Sequence, residues 1–162
     1  MKLYFQRAIK EDIDEISALY SAAIGTDGCT WSLDYPNAEI TRGDLERGDL
    51  FCMKTEEGEI IGAISVDDDK EVENLSCWSK EIMPVAELAR LVVKQDYQNR
   101  SVARKLLQGG MEELRGRGCK GVHFLVSPEN ERALRSYAQL KFSHCGDCDL
   151  YEHHWYCYEK EL

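Results

Sequence analysis

A helix that begins with basic residues is the first feature of this sequence that suggests chemistry. Arg100, Arg104 and Lys105 lie in or beside the first turns of a segment that opens at Ser101. The N-terminal end of a helix carries free N–H groups and partial positive charge, so acidic residues are usual there. A bound anion would explain the basic residues, because the helix and the side chains would then attract it together. The alternative is a solvated basic face that costs roughly a few tenths of a kcal/mol.

A second group of side chains could bind a metal ion. Cys145 and Cys148 are separated by two residues, and His144, His153 and His154 lie close to them in the sequence. A single C-x-x-C pair with nearby histidines is a weak metal signature. The two cysteines also fall in a predicted strand, which orients their side chains poorly for ligation. We therefore expect no metal, with a zinc-stabilised interaction domain as the alternative.

Composition and charge limit the classes of protein. The chain has 162 residues, of which 43% are hydrophobic and 31% charged, and this fits one domain over residues 1–162. The net charge of −10 argues against binding nucleic acid and mildly favours cationic small substrates. No apolar run approaches the ~20 residues of a membrane span, and the N-terminus turns acidic before a signal-peptide core develops. We expect a cytoplasmic protein with seven reduced cysteines and no membrane contact.

The hydrophobic pattern predicts the elements that would position these side chains. Apolar runs and alternation predict seven strands, at residues 3–9, 50–55, 59–66, 85–93, 121–127, 142–150 and 153–161. Helical periodicity predicts four helices, at residues 12–25, 37–47, 101–116 and 130–140. The strand–helix–strand order over residues 85–127 predicts a parallel pair of strands joined by a right-handed crossover. Residues 67–73 are predicted to form a solvated acidic loop or turn.

Two segments inside this framework resemble the motifs of one enzyme family. Residues 98–103 read QNRSVA, which resembles the Q/R-x-x-G-x-G/A acetyl-CoA motif of the GNAT N-acetyltransferases. The segment follows a buried strand at the offset that this family shows. Asn130, Ala133, Tyr137 and Phe142 are spaced as in the family's N-x-x-A-x-x-x-Y-x-x-x-G-F helix. The order of elements is also similar over nearly the whole chain.

Two positions depart from the family pattern. Ser101 stands where the family usually has the first glycine of the motif, and Lys141 stands where it has the glycine before phenylalanine. Serine is small enough for the backbone to approach a phosphate, but a positive φ costs more at serine than at glycine. Lys141 is expected only to alter a turn.

The resemblance implies an α/β (mixed α+β) fold of the GNAT acyl-CoA N-acyltransferase type. Its mostly antiparallel sheet is flanked by helices and contains a parallel pair around the coenzyme-binding strand. The positions that match coenzyme contacts of the family are Leu91, Val92, Val93, Gln98, Asn99, Arg100, Ser101, Val102, Ala103, Arg104, Asn130, Ala133 and Tyr137. Backbone N–H near Val92 or Val93 would polarise the thioester carbonyl, and the pyrophosphate would bind N–H groups of residues 98–103. Asn130 could equally be a helix cap, or serve both purposes.

The resemblance also suggests catalytic groups. Tyr137 matches the family tyrosine that is proposed to protonate the leaving thiolate, and its unperturbed pKa of ≈ 10 makes it a proton donor at neutral pH. The alternative is a tyrosine that only packs in the core. Glu87 lies on a strand where several relatives place a carboxylate that acts as the base, and the alternative is a strand residue facing solvent. His123 is another candidate base, although an interior histidine is the more usual outcome.

The expected activity is transfer of an acetyl group from acetyl-CoA to an amine by direct attack in a ternary complex. Trp31, Asp34 and Tyr35 lie in a region that often borders the acceptor site in this family, and aromatic faces beside a carboxylate suit a cationic amine. An aromatic pair that pins the loop to the core is the alternative. The acceptor, a small molecule or a peptide, is not identified by the sequence. A non-catalytic acyl-CoA-binding module is the alternative function, and a homodimer is possible.

Overall fold

A seven-stranded sheet runs through the protein in the computed structural model, which describes residues 1–162. Its strands are β1 (Leu3–Arg7), β2 (Leu50–Thr55), β3 (Ile60–Asp67), β4 (Val85–Val93), β5 (Gly121–Val126), β6 (Ser143–Leu150) and β7 (His153–Glu161). They lie in the order β1-β2-β3-β4-β5-β7-β6. Every neighbouring pair is antiparallel except β4 and β5, which are parallel. The mostly antiparallel sheet and its predicted parallel pair are therefore confirmed.

Helices connect the strands and flank the sheet. They are α1 (Ile13–Ala23), α2 (Ala38–Glu46), α3 (Lys70–Glu73), α4 (Val102–Gly116) and α5 (Glu131–Gln139). The four helices predicted from periodicity are confirmed as α1, α2, α4 and α5, with small differences at their ends. The start of α2 follows from its cap, because the Asn37 side chain accepts a hydrogen bond from the Ile40 N–H at 2.9 Å. None of these helices is both long and apolar enough to span a bilayer.

The core lies on both faces of the sheet, because successive strand residues point to opposite sides. On β2, Phe51 and Met53 join a cluster on the α4 face, whereas Leu50 and Cys52 join a second cluster with α1. The α4 side chains in the first cluster are Val102, Leu106, Leu107, Met111 and Leu114. The apolar stripe predicted for this helix is therefore the surface that holds it against the sheet.

Two glycines allow α4 to lie close to the strands. A Cβ atom on Gly62 would lie 2.8 Å from the Leu106 side chain, and one on Gly109 would lie 2.5 Å from the ring of Phe5. Both separations are shorter than carbon atoms tolerate in a packed interior. The helix can dock at this distance only because these two residues lack side chains.

An irregularity in the middle of β4 opens the sheet. Arg90 has a φ of 52°, and the pairing of β3 with β4 shifts register beside it, as in a β-bulge. On its other edge, β4 pairs with β5 only from Val85 to Glu87. Beyond Glu87 the two strands separate and leave a cleft between them. The cleft is therefore a consequence of strand geometry in the centre of the sheet.

The segment 67–73 is not the solvated acidic loop expected from its charges. Asp67 ends β3, and residues Lys70–Glu73 form the short helix α3. Val72 is 1% exposed, and its carbonyl accepts a hydrogen bond from the Trp78 indole N–H at 2.7 Å. The prediction was wrong because one valine among many acidic residues anchors this segment over the edge of the cleft.

Candidate active site

The cleft between β4 and β5 has a volume of about 1610 Å³. Residues 88–93 line it on one side and residues 124–127 on the other. One end reaches the start of α4 and of α5, and we call this the basic end because Arg104, Arg132 and Arg135 lie there. The other end, which we call the acidic end, is lined by Tyr35, Glu39, Asp67, Asp69, Glu87 and Tyr151.

Backbone groups of β4 face the cleft beyond Glu87, where β4 is no longer paired with β5. The Lys94 N–H donates to the Ile61 carbonyl on β3 at 2.8 Å. Hydrogen-bonding residues alternate along an antiparallel pair, so the N–H and C=O groups of Val93 and Leu91 point to the opposite edge. An extended ligand with amide groups could pair with that edge as an added strand would.

The start of α4 forms a concave cluster of free N–H groups. Ser101 is in the left-handed region, with φ 65° and ψ 15°, and Asn99 also has a positive φ of 62°. No side chain caps the helix, its first turn contains no acidic residue, and the Lys105 N–H is the first to find a backbone acceptor, the Ser101 carbonyl. Such successive N–H groups bind anions. The Ser101 conformation costs about 1–2 kcal/mol that glycine would avoid.

Basic side chains surround this cluster, although not all of those predicted reach the cleft. Arg104 lines it and donates to Gln139 at 2.6 Å, and Arg132 lines it and donates to Gln98. Arg100 instead stacks on the ring of Tyr97, 5.4 Å from its centre. Arg100 and Lys105 are exposed and do not line the cleft. Arg132 was missed by the sequence analysis, although its place in the first turn of α5 could have indicated it.

Tyr137 belongs both to the core and to the cleft, so its packing in the core does not remove it from the cleft wall. It is 7% exposed, and its ring lies 4.4 Å from that of Phe124 while its surface lines the cleft. Burial raises the pKa of the Tyr137 hydroxyl above its ordinary value, so this group carries its proton at neutral pH. At the start of the same helix, the Asn130 side-chain oxygen accepts from the Ala133 N–H at 3.2 Å. The Asn130 amide NH₂ remains available to a ligand.

Glu87 is buried at the acidic end and does not face solvent, which excludes the alternative of a solvent-facing strand residue. It is 7% exposed and lies directly opposite Asp67 in the β3–β4 register. Its Oε1 atom is buried without a hydrogen-bond partner. Burial, together with the negative charges of Asp67 and Asp69, raises the pKa of Glu87 to about 9. The side chain is therefore a carboxylic acid at pH 7.

His123 lies next to Glu87 in the β4–β5 register but does not line the cleft. Trp78 stacks on its ring at 4.2 Å, and burial lowers the pKa of the imidazole to about 4. Neither ring nitrogen has a hydrogen-bond partner. The residue is an interior histidine, out of reach of a ligand in the cleft.

A buried ion-pair network behind the acidic end was missed by the sequence analysis. Arg90 donates to both carboxylate oxygens of Asp44 at 2.9 Å, to Asp67 at 2.9 Å and to the Tyr35 hydroxyl at 3.0 Å. Asp44 also accepts from Ser65 at 2.8 Å. An arginine within an apolar strand was the available signal, because a buried guanidinium requires partners. The network fixes Tyr35 at the wall of the cleft.

The loop between α1 and α2 forms part of the wall of the cleft. Trp31 and Tyr35 both line it, and Trp31 packs edge-on against Tyr20 at 5.4 Å, whereas Asp34 is exposed and does not line it. Gly28, with φ +80°, lies so close to Asn130 that a Cβ atom would be 3.0 Å from the Asn130 Cα. The loop therefore contributes its aromatic side chains to the cleft and also packs on its core side.

Two of the three nearby histidines, His144 and His154, lie on the face of the β6–β7 hairpin opposite to Cys148. Cys148 is opposite Trp155, whereas Asp149 is opposite His154, so their side chains point to opposite sides. The Cys145 thiol donates to the Cys157 carbonyl at 3.3 Å. No group of three or more His, Cys, Asp or Glu side chains is arranged to hold a metal ion.

A sequence model of the Acetyltransferase (GNAT) family matches residues 14–142 of this chain. No curated protein matches it by sequence. Among solved structures, a GNAT-family acetyltransferase from Streptococcus agalactiae superimposes with a TM-score of 0.82 at 19% identity, over 99% of this chain and 95% of that one. The ribosomal-protein-S18-alanine N-acetyltransferase from Escherichia coli gives 0.74 at 16% identity, over 99% and 94%. A chain of the NatC complex bound to Gag peptide and CoA gives 0.73 at 16% identity, over 100% and 99%. At these identities the structural likeness shows the fold.

Proposed function

The chain belongs to the acetyltransferase (GNAT) family, and from this premise we propose that it transfers the acetyl group of acetyl-CoA to the amine of an acceptor bound in the same cleft. The family and fold indicated by the two motifs are confirmed, and so is the enzyme class. The observation that carries the proposal is one cleft that holds a free strand edge, an uncapped helix start, a protonated tyrosine and a buried carboxyl group.

The residues present fit a coenzyme A thioester. The free edge at Leu91 and Val93 would pair with the amides of the pantetheine arm, and the N–H groups of residues 99–103 would bind the pyrophosphate, whereas the Gln98 N–H already donates to the Gln95 carbonyl at 3.2 Å. Arg104 and Arg132 add positive charge beside the phosphates. When bound, the coenzyme supplies an activated acetyl group as a thioester. The backbone N–H of Val93 is the donor expected to polarise the thioester carbonyl.

Tyr137 serves as the general acid in this proposal. Its hydroxyl holds a proton because burial disfavours the phenolate. It can therefore protonate the sulfur of the departing coenzyme, whose thiolate would otherwise leave less readily. The ring contacts with Phe124 keep the hydroxyl in one position at the cleft wall.

Glu87 serves as the general base. In the free protein its carboxyl group is protonated at pH 7, because its pKa is raised to about 9. A cationic amine entering the acidic end favours the ionised carboxylate, since opposite charges lower the pKa of an acid, and the carboxyl proton is released to solvent. The carboxylate then accepts the proton that the attacking nitrogen releases, directly or through a water molecule. Trp31 and Tyr35 would contact the acceptor beside it.

The remaining expectations belong to the same proposal. Residues 1–162 would act as one catalytic domain, with acetyl-CoA as the donor and a small-molecule or peptide amine as the acceptor. A cytoplasmic location and a possible homodimer stay predictions of the sequence.

A thermal-shift titration with acetyl-CoA, CoA and NAD tests the donor. Saturation at about a hundredfold excess over Kd should raise the Tm by roughly 5–10 °C with the two CoA ligands. NAD should give no shift. Absence of a shift with millimolar acetyl-CoA would refute the coenzyme assignment.

Release of CoA in the presence of a panel of amines tests catalysis. Tyr137→Phe should lower kcat about 100-fold while keeping the thermal shift with CoA. Tyr158→Phe is the matched control, because that ring lies 6.0 Å from Tyr137 but does not line the cleft. Coenzyme binding without amine-dependent CoA release would instead identify a non-catalytic binding module.

A further inference from the structure

The acidic end of the cleft carries more negative charge than its arginines neutralise. Arg90 is fully engaged by Asp44 and Asp67, and Arg47 by Asp44 and Asp49. Asp69 and Glu39 line the cleft and have no cationic partner there. A ligand at this end therefore meets an uncompensated negative field.

Glu87 presents a buried oxygen atom without a partner to a ligand at this end. Its side chain is more than nine-tenths buried, lines the cleft, and forms no hydrogen bond to the protein at Oε1. A buried polar atom without a partner is costly, and a ligand that donates a hydrogen bond would remove that cost. An ammonium or amine N–H is such a donor.

Asp69 provides a second anionic point further along the cleft. It lies two residues beyond Asp67, which is directly opposite Glu87, and its charge is close enough to act on the Glu87 carboxyl group. Its carboxylate accepts from the Tyr151 hydroxyl and from the Glu71 N–H, which hold it in place without neutralising its charge. The exposed rings of Tyr35 and Tyr151 lie at this end of the cleft.

Resting on the proposed acetyl transfer, we propose that the acceptor is a small aliphatic diamine or polyamine whose reacting nitrogen lies at Glu87 and whose second cationic nitrogen lies at Asp69. Two carboxyl groups at separate points of one cleft suit an acceptor whose two nitrogens are joined by a short methylene chain. The tyrosine rings would contact the methylene chain and attract the second charge. A monoamine would interact with only one of the two carboxyl groups.

The first test compares 1,4-diaminobutane with butylamine as acceptors at saturating acetyl-CoA. We expect kcat/KM to be at least about tenfold higher for the diamine. Asp69→Asn should reduce that preference by about tenfold, since asparagine keeps the helix cap and removes only the charge. Asp68→Asn is the matched control, because Asp68 is exposed, adjacent and outside the cleft. Equal kcat/KM values for the two amines, or equal behaviour of the two variants, would overturn the proposal.

Equilibrium binding of the same two amines to the CoA-loaded protein separates this proposal from the proposed function. Tighter binding of the diamine that is lost in Asp69→Asn, without any turnover, would support the acceptor class and refute catalysis. Turnover of butylamine with no preference for the diamine would refute the acceptor class and support catalysis. Weak, equal binding of both amines by the wild-type protein would also overturn the acceptor class.

Discussion

Replacement of Glu87 by glutamine should make the protein more stable, and increasingly so as the pH rises. The wild-type carboxyl group has its pKa raised from 4.5 to about 9 in the folded state, because it is buried among Asp67, Asp69 and Glu73 with only Arg90 to oppose them. The folded protein therefore holds a proton that the unfolded chain releases above its own pKa. The free energy of unfolding therefore falls as the pH rises from 4.5, the pKa in the unfolded chain, to about 9, the pKa in the folded protein. Glutamine has no such proton to lose.

The magnitude follows from the size of the shift. Each pKa unit corresponds to about 1.36 kcal/mol. At pH 5 the free energy of unfolding of the wild-type protein should therefore be less than about 1 kcal/mol below that of Glu87→Gln. At pH 7 the difference should grow to about 3 kcal/mol. This is an upper bound, since a local opening that admits water to the carboxylate would limit the cost.

Urea unfolding of both proteins at pH 5, 7 and 8 measures this difference directly. Glu57→Gln, an exposed turn residue, is the control and should change stability by less than about 0.5 kcal/mol. A constant difference between wild type and Glu87→Gln at all three pH values would show that the carboxyl group is ionised and solvated, and the reasoning would fail. The same substitution should lower kcat/KM for amines, as expected for a destabilised group at an active site.

Three further substitutions test the structure. Arg90→Met removes the guanidinium that pairs with buried Asp44 and half-buried Asp67, and it should destabilise the protein by about 3 kcal/mol in urea unfolding; a change below about 1 kcal/mol would contradict the buried network. Gly109→Ala directs a methyl group into the ring of Phe5 and should lower the free energy of unfolding by about 1–3 kcal/mol. Gly116→Ala, whose methyl group would meet no neighbouring atom within 4 Å, is the control and should leave the free energy of unfolding unchanged or raise it. Ser101→Gly should raise the free energy of unfolding by roughly 1 kcal/mol by relieving the left-handed backbone, while retaining the thermal shift with CoA; a loss of stability would show that the serine conformation is not strained.

Most of the fold could be predicted because its signals are local. The apolar stripe of α4 recurs every three or four residues, and β2 and β3 are apolar runs separated by a turn. The two family motifs are local in the same sense, since each lies within about a dozen residues. The failure at α3 has the opposite cause, because the burial of Val72 depends on Trp78, which the local pattern does not reveal.

The sequence by itself determined the order of the elements, the basic start of α4 and the family to which the chain belongs. Only the tertiary structure decided the chemistry of the acidic end. Arg90 finds partners 46 and 23 residues away, and a β-bulge turns its side chain towards them. The protonation of Glu87 likewise depends on which groups surround it after folding, because desolvation and nearby charge act through space. Residue type and spacing predict neither the partners of Arg90 nor the protonation of Glu87.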